Sequence, residues 1–328
     1  MGVVDAALEE YLEDPKRYAD LLNGYWFGGC QMIQPEDLQE KESRLVGRSQ
    51  RTQEKNSKKR YRQRIRDKVR KIVLGAGVMV VALENQTQIH HAMPVRVMLE
   101  DALEYDKQYK AIQSAHESAD DLSNAEERLS KFKASDRILP TATIVVYFGE
   151  GEWTGPRDLL DLMELENIPK EVHPFINGYP LHILEVQKFE DIDRFRTDLR
   201  EVFGFIQCAN DKKKLHQFME QNQEFFRAVK QDVVDVITAV TGKKRLREIL
   251  EEHQKEGETD MSIGLEILTK EERAAERSEG MRKGKIESQR LIARNASNMG
   301  FSVDETAKLC DVSLDTMREW FAEWALES

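Results

Sequence analysis

Residues 78 to 83 read Val-Met-Val-Val-Ala-Leu, an unbroken apolar run with Gly77 before it and Glu84 after it. A run of that length suits a strand buried on both faces. Just upstream, Ile65, Asp67, Val69 and Lys71 alternate with Arg64, Arg66, Lys68 and Arg70, the two-residue period of a strand, although Ile65, Val69 and Ile72 also fit one face of a helix. Gly75 and Gly77 mark a turn between the two segments, which favours strands and predicts a hairpin. A second buried strand is predicted over 138–148, ILPTATIVVYF, and a shorter one over 181–186.

Helical spacing occupies the flanks. Asp14-Pro15 can open a helix, Tyr18, Leu21, Leu22 and Tyr25 recur along one face, and Gly28-Gly29 closes it. Residues 92–117 read as a helix with Pro94 near its start and Val95, Met98, Ala102 and Tyr105 on the apolar face. A short helix is expected at 157–163. Residues 31–58 carry Pro35 and few apolar side chains and read as a long loop. From Asp191 the chain reads as four or five helices, with 266–290 a highly charged exposed helix or linker. The predicted fold class is therefore α/β, a mixed central sheet flanked by helices, with an all-helical C-terminal extension. The expected divisions are 1–190 for the sheet-bearing core, 191–265 for a helical subdomain and 266–328 for the charged helix and a helix-turn-helix-like C-terminal segment.

The net charge is −11, which at first argues against a polyanionic partner. The distribution of charge changes that picture. From Lys41 to Lys71 about 14 basic residues stand against three acidic ones, a local footprint for phosphate contact. The alternative is a solvated loop and a charged strand edge that resists pairing. Three scattered cysteines form no CxxC pair, so neither a disulfide framework nor a cysteine zinc site is indicated. The acidic N-terminus has no secretory pattern, Ala6 breaks the myristoylation pattern, and no apolar run approaches a membrane span; a cytoplasmic protein with no membrane partner is expected.

The chemistry-bearing stretch is Leu83-Glu84-Asn85-Gln86, at the end of the most apolar strand. Glu84 and Gln86 are two apart and so share a face. A carboxylate there is costly unless paired or metal-bound. If the Asp67 strand pairs with the Glu84 strand, the two acids can converge on one ion, for which Mg²⁺ (or Mn²⁺) is the expected choice. The backbone carbonyl of Asn85 could add a third oxygen, Gln86 would orient a water, and Arg96 could neutralise phosphate charge. The reaction would be metal-assisted phosphodiester hydrolysis. Spacing alone leaves another reading open, in which Glu84 caps the next helix.

The block from Ala82 to Leu99, with Glu84-Asn85-Gln86 and Met93-Pro94-Val95-Arg96 as its specific parts, resembles the recombination-promoting nuclease and transposase family. So do Arg66-Asp67, Tyr18 to Asn23, Thr143 to Gly149 and Asp198 to Phe203, covering about residues 15 to 240. The resemblance implies a PD-(D/E)XK nuclease core, a divalent metal and DNA cleavage. It carries the metal-binding acids onto Asp67 and Glu84, the Gln variant of the usual lysine onto Gln86, and a supporting acid on the first helix onto Asp20. Arg60, Arg62, Arg64, Arg66 and Arg96 become the DNA-contacting cations. The chain departs from the family at Lys68, Arg70 and Lys71, where an apolar strand is expected, and at Glu100, where a Tyr is expected. Glu100 would add negative charge near the site or point to solvent. A catalytically inactive DNA-binding or assembly protein is the alternative function, and a homodimer suits double-strand cutting.

Two further features stand apart. His90-His91 read as surface or capping residues rather than ligands. Residues 300–320 have helix-turn-helix spacing, with a Ser302–Glu305 capping box and Ser313 capping a second helix. That second helix carries Asp315, Glu319 and Glu323 against Arg318, which makes it a poor reader of DNA and favours packing or dimerisation.

Overall fold

The computed structural model describes residues 3–40, 44–48, 61–65, 68–75, 77–253 and 258–326, and side chains of these except at 3, 44–48, 61–65, 68, 258, 325 and 326. The N-terminal helices are α1 (Val3–Tyr11) and α2 (Pro15–Trp26). Asp14 caps α2, its carboxylate accepting from Lys16 N at 2.8 Å, and Pro15 follows at the first position, where its missing N–H costs nothing. The strands are β1 (Leu38–Glu40), β2 (Arg44–Arg48), β3 (Tyr61–Ile65), β4 (Lys68–Leu74) and β5 (Gly77–Gln86). After α3 (Met93–Ala119) and α4 (Ala125–Ser130) come β6 (Thr141–Tyr147) and β7 (His182–Glu185). The segment expected as a short helix at 157–163 is a 3-10 turn, Leu159–Leu162.

Five strands form one mixed sheet in the order β1-β4-β5-β6-β7. The predicted hairpin is present: β4 and β5 pair antiparallel from Lys68↔Leu83 to Leu74↔Gly77, with Gly75 in the left-handed region at φ 57°. Helix α3 then carries the chain across so that β6 lies parallel to β5, with Glu84 opposite Val145. β5 is hydrogen-bonded on both edges and covered on both faces, which accounts for its unbroken apolar run. Residues 31–58, read as loop, contribute β1 to the sheet edge and β2 to a separate hairpin with β3. Their strand propensity is weak because they are short and polar, so pairing with β4 and β3 decides their state.

The helices that follow are α5 (Leu199–Cys208), α6 (Lys212–Gln221), α7 (Gln223–Phe226), α8 (Gln231–Val240), α9 (Lys244–His253), α10 (Met261–Asn298), α11 (Val303–Cys310) and α12 (Leu314–Leu326), more than the four or five expected. Two short strands, β8 (Val229–Lys230) and β9 (Glu258–Thr259), pair between them. The chain forms two compact units, up to Ser262 and from Ile263 onward. Residues on the two sides of the expected 190/191 boundary touch within the first unit. Arg17 on α2 is bound by Asp198 and Asp232, and Phe148 at the end of β6 meets Phe203 edge-on with ring centroids 6.0 Å apart. Helix α5 thus meets the sheet on the face opposite α3, while α8 packs on α1 and α5.

In the second unit Ala293, Ala307, Cys310, Met317, Trp320 and Trp324 form a small core. The Ser302–Glu305 capping box is present, and Ser313 Oγ accepts from Thr316 N at 3.2 Å. Helix α10 is exposed over 273–288, as its charge predicts.

Candidate active site

The pleat of β5 places Ala82, Glu84 and Gln86 on one face. Glu84 lies opposite Val145, and Val145 packs with Met93 and Val97 of α3, so Glu84 faces α3. Its side chain has 0% exposure, although it stands near the end of the strand. Gln86, two residues on, is half-buried. Asn85 is buried with its side chain on the opposite face, which leaves only its backbone as a partner for Glu84's surroundings.

Helix α3 supplies the rest. Arg96 stands in its first turn and reaches back to β5: Nη2 lies 2.6 Å from Glu84 Oε2, and Nε lies 3.1 Å from Glu100 Oε1. Arg96 is 25% exposed, whereas Glu100 is 1% exposed. Glu100 therefore does not point to solvent. One guanidinium ties two buried carboxylates, one from the central strand and one from the next turn of the helix. Glu84 does not cap α3, whose N-cap, Ala92, makes no side-chain cap bond.

The inward face of α3 differs from the predicted one. Met93, Val97, Glu100, Asp101 and Glu104 are buried, and Val95 is 41% exposed. The inward stripe keeps helical spacing but turns from apolar to acidic along the helix, so a reading by polarity places the wrong side inward. Each acid has partners. Asp101 accepts from Thr143 Oγ1 at 2.7 Å and Tyr179 OH at 2.6 Å, and Glu104 accepts from Gln108 Nε2 at 3.1 Å. The backbone of β2, with sequence Arg44-Leu45-Val46-Gly47-Arg48, runs against α3. Glu100 is the residue that sequence reasoning left unassigned. Its signal was available: it follows Arg96 by four positions, the spacing of a helical ion pair, and continues the Met93–Val97 spacing.

Other expected residues fall elsewhere. Asp67, Arg60 and Arg66 lie outside the described residues, as do the side chains of Arg62 and Arg64, whose backbone belongs to β3. Asp20 is buried on α2, and its carboxylate accepts from Arg196 N at 2.8 Å, Thr197 N at 2.7 Å and Thr197 Oγ1 at 2.6 Å. Its acceptor capacity goes to fastening that turn to α2. Arg70, within the basic stretch, is 4% exposed; it donates to Glu13 O at 2.5 Å and stands over the Tyr18 ring at 5.2 Å. It anchors α1 and α2 to β4 and offers nothing to a phosphate. His90 and His91 are exposed, as expected of surface residues. Two open clefts, of about 640 and 380 Å³, lie along 193–201 and beside Gly28–Gln31, and neither is lined by Glu84, Arg96 or Glu100.

The donors at Glu84 and Glu100 are carboxylate oxygens, the type a hard divalent cation takes. The arrangement already accepts a positive charge between them, because the Arg96 guanidinium sits there. Among the described residues no set of three His, Cys, Asp or Glu side chains is grouped to hold a metal ion. No helix among the described residues is long and apolar enough to cross a membrane.

Comparison with known protein families, with curated proteins and with solved structures gives no match to this chain.

Proposed function

We propose that this chain is a metal-dependent DNA endonuclease with a PD-(D/E)XK-type core, cytoplasmic and acting in recombination or mobile-element biology. The observation that carries the reading is Glu84: a fully buried carboxylate near the end of the central strand, held beside a second acid and a cation. A buried carboxylate is unfavourable by several kcal/mol unless a cation accompanies it, and at Glu84 the fold supplies one from Arg96. The order β4, β5, α3, β6, with one antiparallel and one parallel neighbour of β5, supports the same reading.

In this mechanism Asp67 and Glu84, with the backbone carbonyl of Asn85, would hold Mg²⁺ or Mn²⁺. When bound, the ion lowers the pKa of a water and offsets charge on the phosphate. Gln86, on the Glu84 face and half-buried, orients the attacking water through its amide. Arg60, Arg62, Arg64 and Arg66 bind phosphates and position the duplex without reading sequence. A homodimer would bring two such sites to the two strands.

The test is cleavage of supercoiled plasmid with Mg²⁺ by the parent and by Glu84→Ala, Asp67→Ala and Gln86→Ala. The parent should nick or linearise the plasmid, the two acid variants should lose all cleavage, and Gln86→Ala should slow it by about 10²-fold or more. Equal traces in every tube would refute the nuclease. A second reading would then stand: a DNA-binding or assembly protein with no hydrolytic activity. The Arg96 bridge favours it, because Glu84 already has a protein cation. DNA retardation in EDTA, with no cleavage on adding Mg²⁺, would identify it.

A further inference from the structure

We infer that α10 pairs antiparallel with α10 of a second copy of this chain, about a two-fold axis at Arg282, so that Gly280 of each copy lies on the partner's Gly284. The inference goes beyond the nuclease reading and stands without it.

Three observations lead to it. The first is a stretch of helix that its own chain leaves uncovered. Residues 273–288 of α10 are exposed on every side, over more than four turns. A helix in a protein takes most of its stability from packing one face against a neighbour. This stretch also holds Gly280 and Gly284, and each glycine weakens a helix about fivefold relative to alanine. Contacts among the described residues do not account for them, because a Cβ built at either position meets open space. Close approach of a second backbone does account for them.

The second observation is the side on which the glycines lie. Near its C-terminal end α10 turns Gln289, Ala293 and Ala296 toward the small core of its own unit: Gln289 Nε2 donates to Cys310 O at 2.7 Å, and the two alanines are buried. Gly280 precedes Gln289 by nine residues, and Gly284 precedes Ala293 by nine. Nine residues are about two and a half turns, so both glycines lie on the side away from that core. Leu291, about three turns after Gly280, continues their side at 63% exposure, and Met281 flanks it at 71%.

The third observation is charge, which selects both the occupant and its direction. Arg277 stands three residues before Gly280 and Glu287 three after Gly284, and both are exposed. On the helix no acid stands three or four residues from Arg277. The bases so placed around Glu287 are Lys283 and Arg290, which pair with Glu279 and Glu323. Positions 277 and 287 are equally far from 282, as are 280 and 284. Antiparallel copies therefore set Arg277 beside the partner's Glu287, once on each side of the glycine contact. A parallel pair in register would set Arg277 against the partner's Arg277, a like-charge juxtaposition that opposes association.

The experiment is sedimentation equilibrium of the full chain in reductant at low salt, where exposed ion pairs are least screened. The samples are the parent, Arg277→Glu, Glu287→Arg, the Arg277→Glu/Glu287→Arg pair and the Gly280→Leu/Gly284→Leu pair. The parent should show a monomer–dimer equilibrium. Each single reversal turns two opposite-charge pairs into two like-charge pairs and should weaken the dimer about tenfold or more. The double reversal should return it to within about threefold of the parent. Residues ten apart on one helix stand about 15 Å apart, so that recovery can come only from another copy. The leucine pair improves helix propensity and adds apolar surface, so by circular dichroism it should keep at least the parent's helix content. It should nevertheless dimerise about tenfold or more weakly, because the backbones are held apart; association through apolar surface in general would be strengthened by the same change. A parent that stays monomeric to about 0.1 mM overturns the inference and leaves this face to a different partner. A dimer unmoved by either reversal, or reversals that weaken it without recovery in the double, overturn it as well. Should the leucine pair lose helix content, the three charge variants, exposed on the surface, decide alone.

Discussion

Replacing Arg17 with Met should be among the costliest single changes in the first unit. Arg17 is 4% exposed on α2. Its Nε and Nη2 donate to the two oxygens of Asp198 at 2.8 and 2.7 Å, and its Nη1 donates to Asp232 at 2.5 Å and to Tyr11 O at 3.1 Å. Tyr11 OH donates to Asp198 at 3.0 Å, and the guanidinium stands 4.0 Å from the Tyr11 ring centre. Burial pushes the Tyr11 hydroxyl pKa well up, and the Asp198 charge adds to this. For Arg17, burial acts downward, but the hydrogen bonds to Asp198 and Asp232 outweigh it and the net direction is up.

Breaking a buried pair by removing one partner costs about 3–5 kcal/mol. Asp198 and Asp232 are 18% and 27% exposed, so water recovers part of their solvation and the lower end, about 3 kcal/mol, applies. For a unit of this size that corresponds to a fall in Tm of about 6–12 °C. The assay is thermal unfolding of the full chain by circular dichroism, with amide exchange over 11–20, 196–208 and 231–240 to locate the loss. The Arg17→Met/Asp198→Asn/Asp232→Asn triple variant should recover about half of the loss or more, because no unpaired charge remains. A single variant within about 2 °C of the parent, or a triple variant no better than the single, would refute the reasoning.

Two other predictions concern local packing and pH. His116 Nδ1 lies 2.7 Å from Asp121 and Nε2 lies 2.8 Å from Asp136, and the hydrogen bonds to Asp136 and then Asp121 raise its pKa. A raised His stabilises below its unfolded pKa, about 6.5, and that contribution is lost as pH rises through the folded value. The two carboxylates are lowered, chiefly by the Lys133 backbone N–H on Asp136 and the Lys133 ammonium on Asp121, so their contribution is lost only at acid pH. Amide exchange of 120–136 should therefore separate the parent from His116→Gln most at about pH 5–6 and progressively less as pH rises through the folded value; a difference that stays constant with pH would sink the idea. Gly24→Ala should destabilise by about 1–3 kcal/mol through overpacking. Its new Cβ would run into Phe195 Cε1, and that ring is packed with centroids 5.1 Å from both Phe189 and Phe203. Gly151→Ala, with open space around it, is the control and should stay within about 0.5 kcal/mol of the parent in chemical denaturation. Equal effects of the two substitutions would refute the close approach.

Along the chain, the legible part was whatever short-range physics decides. The apolar run at 78–83 suited a strand covered on both sides, and the glycines after Leu74 turned it back on its neighbour. Asp14-Pro15 and Ser302-x-x-Glu305 marked helix starts because those side chains satisfy backbone N–H groups within their own turn. The shared face of Glu84 and Gln86 followed from the strand period alone. Whatever depends on a distant partner was settled by the folded packing instead. β1 and β2 exist through pairing with β4 and β3, and the helices of 199–253 join the sheet through Arg17 and Phe203. Packing also turned α3 so that Glu100, Asp101 and Glu104 face inward, the reverse of what polarity predicts. Polarity reports the cost of taking a side chain out of water. It carries no information about the guanidinium, hydroxyl and amide groups that offset that cost, because those come from other parts of the chain.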